Sequence, residues 1–488
     1  MDAKIRRPGP RRDVAGRPRG AAPVSAHGMR VLMAAAAVTL VAGCTVGPDY
    51  VRPAAPTSAA FKEARAQAAQ GAPAAPIAGK WWEIYGDPVL NDLVSHVAVD
   101  NQSLAASAAR MREAQLLVQE AHGAAYPQVS VGTIKSGRRN ENDFGLGVSW
   151  ELDLWGRIRR DVEAHRASAE ASADDLAAAT LSMQAQLVQA YFALRQSDAA
   201  IDLLQRSTDV ATQWHRMVGN QYTQGQASSA DVSDALVKLS GAQLQLADTR
   251  SARAQYEHAI AVMLGKPPAE FSLAAAPFDT QVPVIPPGVP AILLERRPDV
   301  AASERRMAAA NARIGVAKAE ELPSISLAAG IGVRRGPTGT ADVKGPLFTG
   351  GRLDAQVKSA GEGYTEAVAN YRQTVLDAYR EVEDNLVATN ELANVAELHA
   401  KAAAAATESD RVTQNQYKEG VADYPAVVQA TNGALEAGRG ELQLRLRRLD
   451  TSVNLIVALG GGWQAGGFAG SAAGRPLGPP DADLRTGP

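Results

Sequence analysis

The chain has 488 residues, with 50 Lys and Arg, 52 Asp and Glu and 7 His, for a formal net charge of −2 at neutral pH. Residues 1–43 hold eight basic groups against two acidic ones, so the remainder carries about −8 by the same counting, which leaves no electrostatic footprint for nucleic acid. The sole cysteine, Cys44, excludes an internal disulfide and a thiolate zinc site; metal-binding histidine spacing, nucleophile-elbow, phosphate-loop and dinucleotide motifs are also missing, so no enzyme constellation is present.

In chain order, Met29-Arg30 precedes an apolar run from Val31 to Ala42. That run is too short to span a bilayer, which takes roughly 20 residues, but it suits a signal-peptide core. Residues 1–28 are Arg- and Pro-rich without apolar periodicity, so translation is read as starting at Met29 and 29–43 as a signal peptide. Ala42-Gly43-Cys44 resembles a bacterial lipobox. The resemblance implies cleavage before Cys44 and acylation of its thiol and new amino group, and Thr45 in place of Asp favours the outer membrane. The alternative is a buried structural cysteine.

The rest divides into an extended segment 44–86, a first repeat 87–290, a second repeat 291–464 and a flexible tail 465–488. The repeat is direct: Tyr222 and Gly225 match Tyr417 and Gly420 at an offset of 195, as do Gly156-Arg157 with Gly351-Arg352 and Leu264-Gly265 with Leu459-Gly460. Each copy reads helix, two strands, long helix, turn, helix.

Phe144, Leu146, Val148, Trp150, Leu152 and Leu154 alternate with small or polar residues, a period of two that fits a membrane β-strand. Val129 and Val131 mark its hairpin partner, with Arg138-Arg139-Asn140 near the turn. In the second copy Ile325, Leu327, Ala329, Ile331 and Val333 repeat the alternation, and a short return strand is expected from Val343 to Phe348, across Pro346. A half-exposed soluble sheet is the alternative. Single-chain outer-membrane barrels begin at about eight strands, so four strands in lipid require several copies to share one barrel.

From Arg157 to about Met217 there is no proline; roughly 60 helical residues extend about 90 Å. Apolar steps of three, four and seven, as in Leu187, Tyr191, Leu194, Ile201 and in Leu203, Val210, Trp214, Met217, predict coiled-coil packing. The second copy offers Val368, Tyr371, Val375, Val382 and Leu386. A helical rod without a pore is the bland alternative, which the strands oppose.

Six motifs in order carry a wider resemblance: Cys44 to Tyr50 with Pro53; Trp81-Trp82 with Asp87-Pro88-Val89-Leu90; Trp150 to Arg157; Arg296-Arg297-Pro298-Asp299-Val300; Leu347 to Arg352; and Ala458 to Trp463. Through them the chain resembles the outer-membrane factor family, the TolC- and OprM-like channels, in its NodT-type lipoprotein branch. The resemblance implies a mainly α fold with a small β part. As a homotrimer it would form a twelve-stranded barrel in outer-membrane lipid, continued by a periplasmic helical tunnel. It also implies a passive, gated exit duct for small toxic compounds, working with a periplasmic adaptor and an inner-membrane pump, RND-type by that resemblance. No cofactor is implied beyond lipid on Cys44. A polypeptide-secretion conduit on the same fold and a non-channel periplasmic lipoprotein are the alternatives.

The same resemblance places adaptor docking at the turns carrying Tyr222, Gly225, Tyr417 and Gly420, and gating near Asp231, Tyr417, Asp423 and Gln429. Asp231 reads equally as a latch partner of Tyr417 or, three residues after Ser228, as a helix-start residue; for Asp423 capping is preferred. Gln224 and Glu419 replace the family's commoner apolar residue before each glycine, and Pro425, Ala426 and Gln429 stand where the family often carries acidic or leucine constriction residues, with Asn432 where an arginine can sit. A constriction that depends little on charge, lined by Gln429, is therefore predicted.

Overall fold

The computed structural model describes residues 45–56, 58, 60–64, 79–136, 141–285, 296–332 and 337–463. The leader with Cys44, the tail 465–488, the expected turn at Arg138-Arg139-Asn140 and Val333 lie outside them.

Seven helices and four strands follow one another among the described residues: α1 Pro88–Asp100, α2 Gln102–Gly123, β1 Gln128–Ser136, β2 Glu141–Leu152, α3 Arg157–Thr223, α4 Ser229–Met263, α5 Pro298–Ala319, β3 Ser324–Gly332, β4 Pro337–Lys344, α6 Arg352–Lys418 and α7 Tyr424–Ala458. The internal repeat is metrical. Helices α3 and α6 both have 67 residues, α4 and α7 both 35, α2 and α5 both 22. At 1.5 Å per residue α3 and α6 extend about 100 Å.

The strands form one antiparallel sheet in the order β1-β2-β3-β4. The return strand lies earlier than the sequence indicated: β4 ends at Lys344, before Gly345-Pro346, because proline has no N–H to give a ladder. The helices continue the sheet's order. Near it, α2 packs on α3, α3 on α5 and α5 on α6; toward the far end the row becomes α4, α3, α7, α6.

Two of these columns are built from helices meeting end to end. Asn101 caps α2 by accepting from the Ser103 and Leu104 N–H groups, while its Nδ2 donates to the Met263 carbonyl at the end of α4, 2.8 Å away. At the matching junction Arg297 donates to the Ala458 carbonyl at the end of α7, 3.1 Å away, and pairs with Asp299 and Glu381. The Arg-Pro-Asp motif is thus a splice between α7 and α5. Glycine is needed at both splices, since a Cβ on Gly265 or Gly460 would run into the carbonyl oxygen of Asp100 or Arg296.

The continuous core sits midway along the columns. There Trp81, Tyr85, Leu90 and Val94 pack against Leu187, Tyr191 and Phe192 of α3, Tyr371 and Val375 of α6, and Val453 and Ile456 of α7. Asp87 caps α1 through the Val89 and Leu90 N–H groups and accepts from the Tyr191 hydroxyl at 2.6 Å. The heptad positions outside that belt, Leu203, Val210, Trp214 and Met217, are only half-buried in one chain. Residues 45–64 form a strap along the columns: Val46 donates to the Trp155 carbonyl, Asp49 pairs with buried Arg160 at 2.7 Å, Tyr50 donates to Glu304, and Lys62 and Glu63 donate from their backbone to Glu383.

Candidate functional site

The sheet has two chemically distinct faces. Register puts Val129, Val148 and Ala329 in one cross-strand row, Val131, Leu146 and Ile331 in the next, and Leu152, Ile325 and Val343 in another. The opposite face carries Ser130, Gly147, Gly330 and Thr338 in one row and Glu151, Ser326 and Asp342 in another. None of the described residues covers the apolar face: Val131 is 68% exposed, Ile331 53% and Val343 65%. A contiguous apolar surface of that kind marks contact with lipid or protein. Strand lengths of 8 to 12 residues compare with the 9–11 that cross a bilayer when tilted.

Aromatic rings gather where the strands meet the helices. Trp150 and Trp155 each donate the indole N–H to a backbone carbonyl, of Ala125 at 3.0 Å and of Pro323 at 2.7 Å, so both rings are polar-satisfied yet partly exposed. Tyr126, just before β1, and Phe348, just after β4, are also exposed, as in the aromatic girdles that flank an apolar band. The Trp150-to-Arg157 motif is explained locally. Glu151 forms a bidentate pair with Arg157 at 3.0 Å, and Asp153 caps α3 by accepting from the Ile158 and Arg159 N–H groups. No helix among the described residues is long and apolar enough to cross a membrane.

About 100 Å away along α3 and α6 lie the two turns. They are geometrically the same. Gly225 (φ 75°) and Gly420 (φ 76°) take the left-handed conformation that only glycine adopts without strain. Gly225 and Gln226 donate to the Tyr222 and Gln221 carbonyls as Gly420 and Val421 do to those of Tyr417 and Gln416, closing a Schellman motif on each helix. Tyr222 is exposed and Tyr417 is 41% exposed.

The acidic candidates have local partners. Asp231 forms a capping box: its carboxylate accepts from the Ser228 N–H and hydroxyl, both at 2.8 Å, and its own N–H donates to Ser228 Oγ. Those bonds hold its pKa below the ordinary carboxylate value. Asp423 caps α7 through the Ala426 N–H at 3.0 Å, the role preferred for it. Gln429 is exposed on α7. The structure brings Tyr417 not to a carboxylate but to Tyr424, ring to ring at 5.4 Å, and Tyr424 stacks on Trp214 at 5.6 Å and 21°. Sequence reasoning counted Trp214 only as a heptad position and passed over Tyr424; an aromatic in a polar helix tip was the available signal.

Buried charge lies elsewhere. Asp198, buried on α3, pairs with Arg195 at 3.2 Å and Arg253 at 2.7 Å, and both arginines also donate to carbonyls of the connection at Leu273 and Ala274. Desolvation pushes the carboxyls of Asp174 and Asp450 up to about 6. No group of metal-ligating residues occurs among the described residues.

The family profile described as outer membrane efflux protein matches residues 93–266 and 289–461. The chain is 28% identical over 464 residues to the toluene efflux pump outer membrane protein TtgC of Pseudomonas putida, covering 89% of this chain and 96% of TtgC. It is 26% identical over 444 residues to the cation efflux system protein CusC of Escherichia coli, covering 86% and 96%. The solved outer-membrane channel OprN superimposes with a TM-score of 0.76 at 27% identity, covering 86% of this chain and 100% of that one. The chain belongs to the outer membrane efflux protein family, the channel components of efflux systems, and is a transport component rather than an enzyme.

Proposed function

We propose that three copies of this chain close into a twelve-stranded barrel with a helical tunnel below it, a passive exit duct for small toxic compounds. An inner-membrane pump supplies the energy and a periplasmic adaptor joins pump to duct at the Tyr222–Gly225 and Tyr417–Gly420 turns. The observation that carries this reading is the sheet. One face is apolar, the other small and polar, and the outer edges of β1 and β4 have no partner strand among the described residues. In lipid each unpaired backbone group costs several kcal/mol, roughly, so the edges must pair with sister chains. Four helix columns continue four strands, so closing one ring closes the other.

Lipid on Cys44 fits the strap. Val46, two residues after Cys44 in sequence, donates to the Trp155 carbonyl near the aromatic rings, which supports an anchor at the proposed membrane surface. The cargoes named for the relatives, toluene for TtgC and cations for CusC, span apolar and charged solutes, in keeping with a duct that leaves selection to the pump. The test is the purified, acylated protein in planar bilayers, together with gene deletion and a panel of toxic compounds. Ion current and lost resistance are expected. A protein that carries no current, with a deletion strain as resistant as its parent, overturns the reading.

A further inference from the structure

We propose that the stack of Trp214 on Tyr424 is the catch that holds the tip of this duct shut, an apolar contact between the two hairpins of one chain that parts when the tip opens. The inference rests on the exit-duct reading above and names the device that closes it.

The two hairpins, α3 with α4 and α6 with α7, meet along α3 and α7. A ring of helices can widen at its tip only if one hairpin moves against another, so this seam is one of the two kinds that must yield. The continuous core does not reach this part of the seam. Its polar contacts nearest the tip are neutral and long, Ser207 to Asn432 at 3.4 Å and the Tyr424 hydroxyl to Gln213 at 3.5 Å, and a shorter one, Arg439 to Gln245 at 2.9 Å, comes only 15 residues further along α7 from Tyr424. Among the described residues no ion pair joins one hairpin to the other. Three tip carboxylates are occupied inside their own hairpins, Asp231 by Ser228, Asp423 by the Ala426 N–H, and Asp410 by Thr431 and Gln414.

That leaves the rings. Tyr424 sits between the capping Asp423 and Pro425 at the first turn of α7, where its backbone is fixed, and Tyr417 of α6 meets its edge. One aromatic pair therefore ties the start of α7, and through Tyr417 the end of α6, to α3. The Trp214 indole Nε1 is buried and has no hydrogen-bond partner among the described residues. An unmade bond disfavours the closed state, since water would satisfy that N–H once the seam parts, so the contact is strong enough to close yet sits near its opening point. A catch of this kind is insensitive to salt, whereas one made of charges is screened.

The experiment uses the full-length, membrane-extracted protein in planar bilayers, reading open probability. Trp214→Ala is expected to raise the open-to-closed ratio between about twofold and about tenfold per chain, the range for one aromatic pair. Trp214→Phe, which keeps a ring, should stay near wild type, and wild-type open probability should not change between low and high salt. In a Trp214→Ala background the pair Ser207→Cys and Asn432→Cys should close the duct when oxidised and release it when reduced. Wild-type open probability in Trp214→Ala protein that still inserts and conducts overturns the catch and leaves the duct reading standing. So does an oxidised pair that conducts as freely as the reduced one. A wild type that never conducts, in any of these conditions, sinks the duct reading and the catch together.

Discussion

A single arginine moved between the two faces of β2 tests the membrane role of the sheet. Leu146 lies near the middle of β2, flanked in its row by Val131 and Ile331; Ser149 is three residues on and therefore faces the other way. From Leu146 to the strand end at Leu152 is about 20 Å at 3.3 Å per residue, further than an arginine side chain reaches to find headgroups or water. An arginine at mid-depth on the lipid face costs about 2–4 kcal/mol, which lowers the equilibrium constant for folding and insertion of each chain by about thirtyfold to about a thousandfold. Leu146→Arg should therefore leave little folded oligomer in outer membranes, assayed by the mobility shift between unheated and heated samples on a gel, and should abolish resistance. Ser149→Arg should assemble normally. Equal accumulation of the two variants, or worse assembly of Ser149→Arg, refutes the facing of the sheet.

Further outcomes follow from the helical part. Asp198→Ala strands Arg195 and Arg253 beside a buried site and should cost about 3–5 kcal/mol, read as a clear fall in melting temperature; an unchanged melting temperature contradicts it. Asp450 has a buried Oδ1 without a partner and a folded pKa of about 6, above its unfolded value near 3.8. Stability is therefore lost as pH rises from the unfolded value of 3.8 to about 6 and is constant above it, a loss of about 1 kcal/mol once solvent screening is allowed for. Asp450→Asn should raise the melting temperature at pH 7.5 and leave it unchanged at pH 4, and the same rise at both pH values would exclude ionisation as the cause. If Asp231 serves only α4, Asp231→Ala and Ser228→Ala should each loosen the start of that helix and change resting current equally. A large current in Asp231→Ala alone would make it a latch residue.

Much of this architecture is legible in the sequence because it is local and repeated. The proline-free run from Arg157 and the match of Tyr222 to Tyr417 at an offset of 195 give the long helices and their turns. Alternation gives β1, β2 and β3, since lipid on one face and polar residues on the other impose a period of two. β4 was misplaced because its apolar positions are few: Ala341 and Val343 are diluted by Thr338, Thr340 and Asp342, while the exposed Leu347 and Phe348 beyond it draw the eye. The tip was harder for a different reason. Trp214 and Tyr424 are 210 residues apart, and Asp231 could be assigned to a cap only once Ser228 was seen to return its bond. Arg297 likewise reads as a motif in sequence and becomes a splice only when Ala458 arrives from 161 residues away.

The central claim is that the open edges of the sheet are sealed by sister chains. Cysteines at Val131 on β1 and at Ala341 or Val343 on β4, in a chain whose only native cysteine is Cys44, place thiols on both edge strands and on one face. Oxidation in intact outer membranes should yield a covalent ladder that stops at three chains, with the full trimer favoured by a closed ring. Monomers alone, or a ladder continuing past three, would contradict the account.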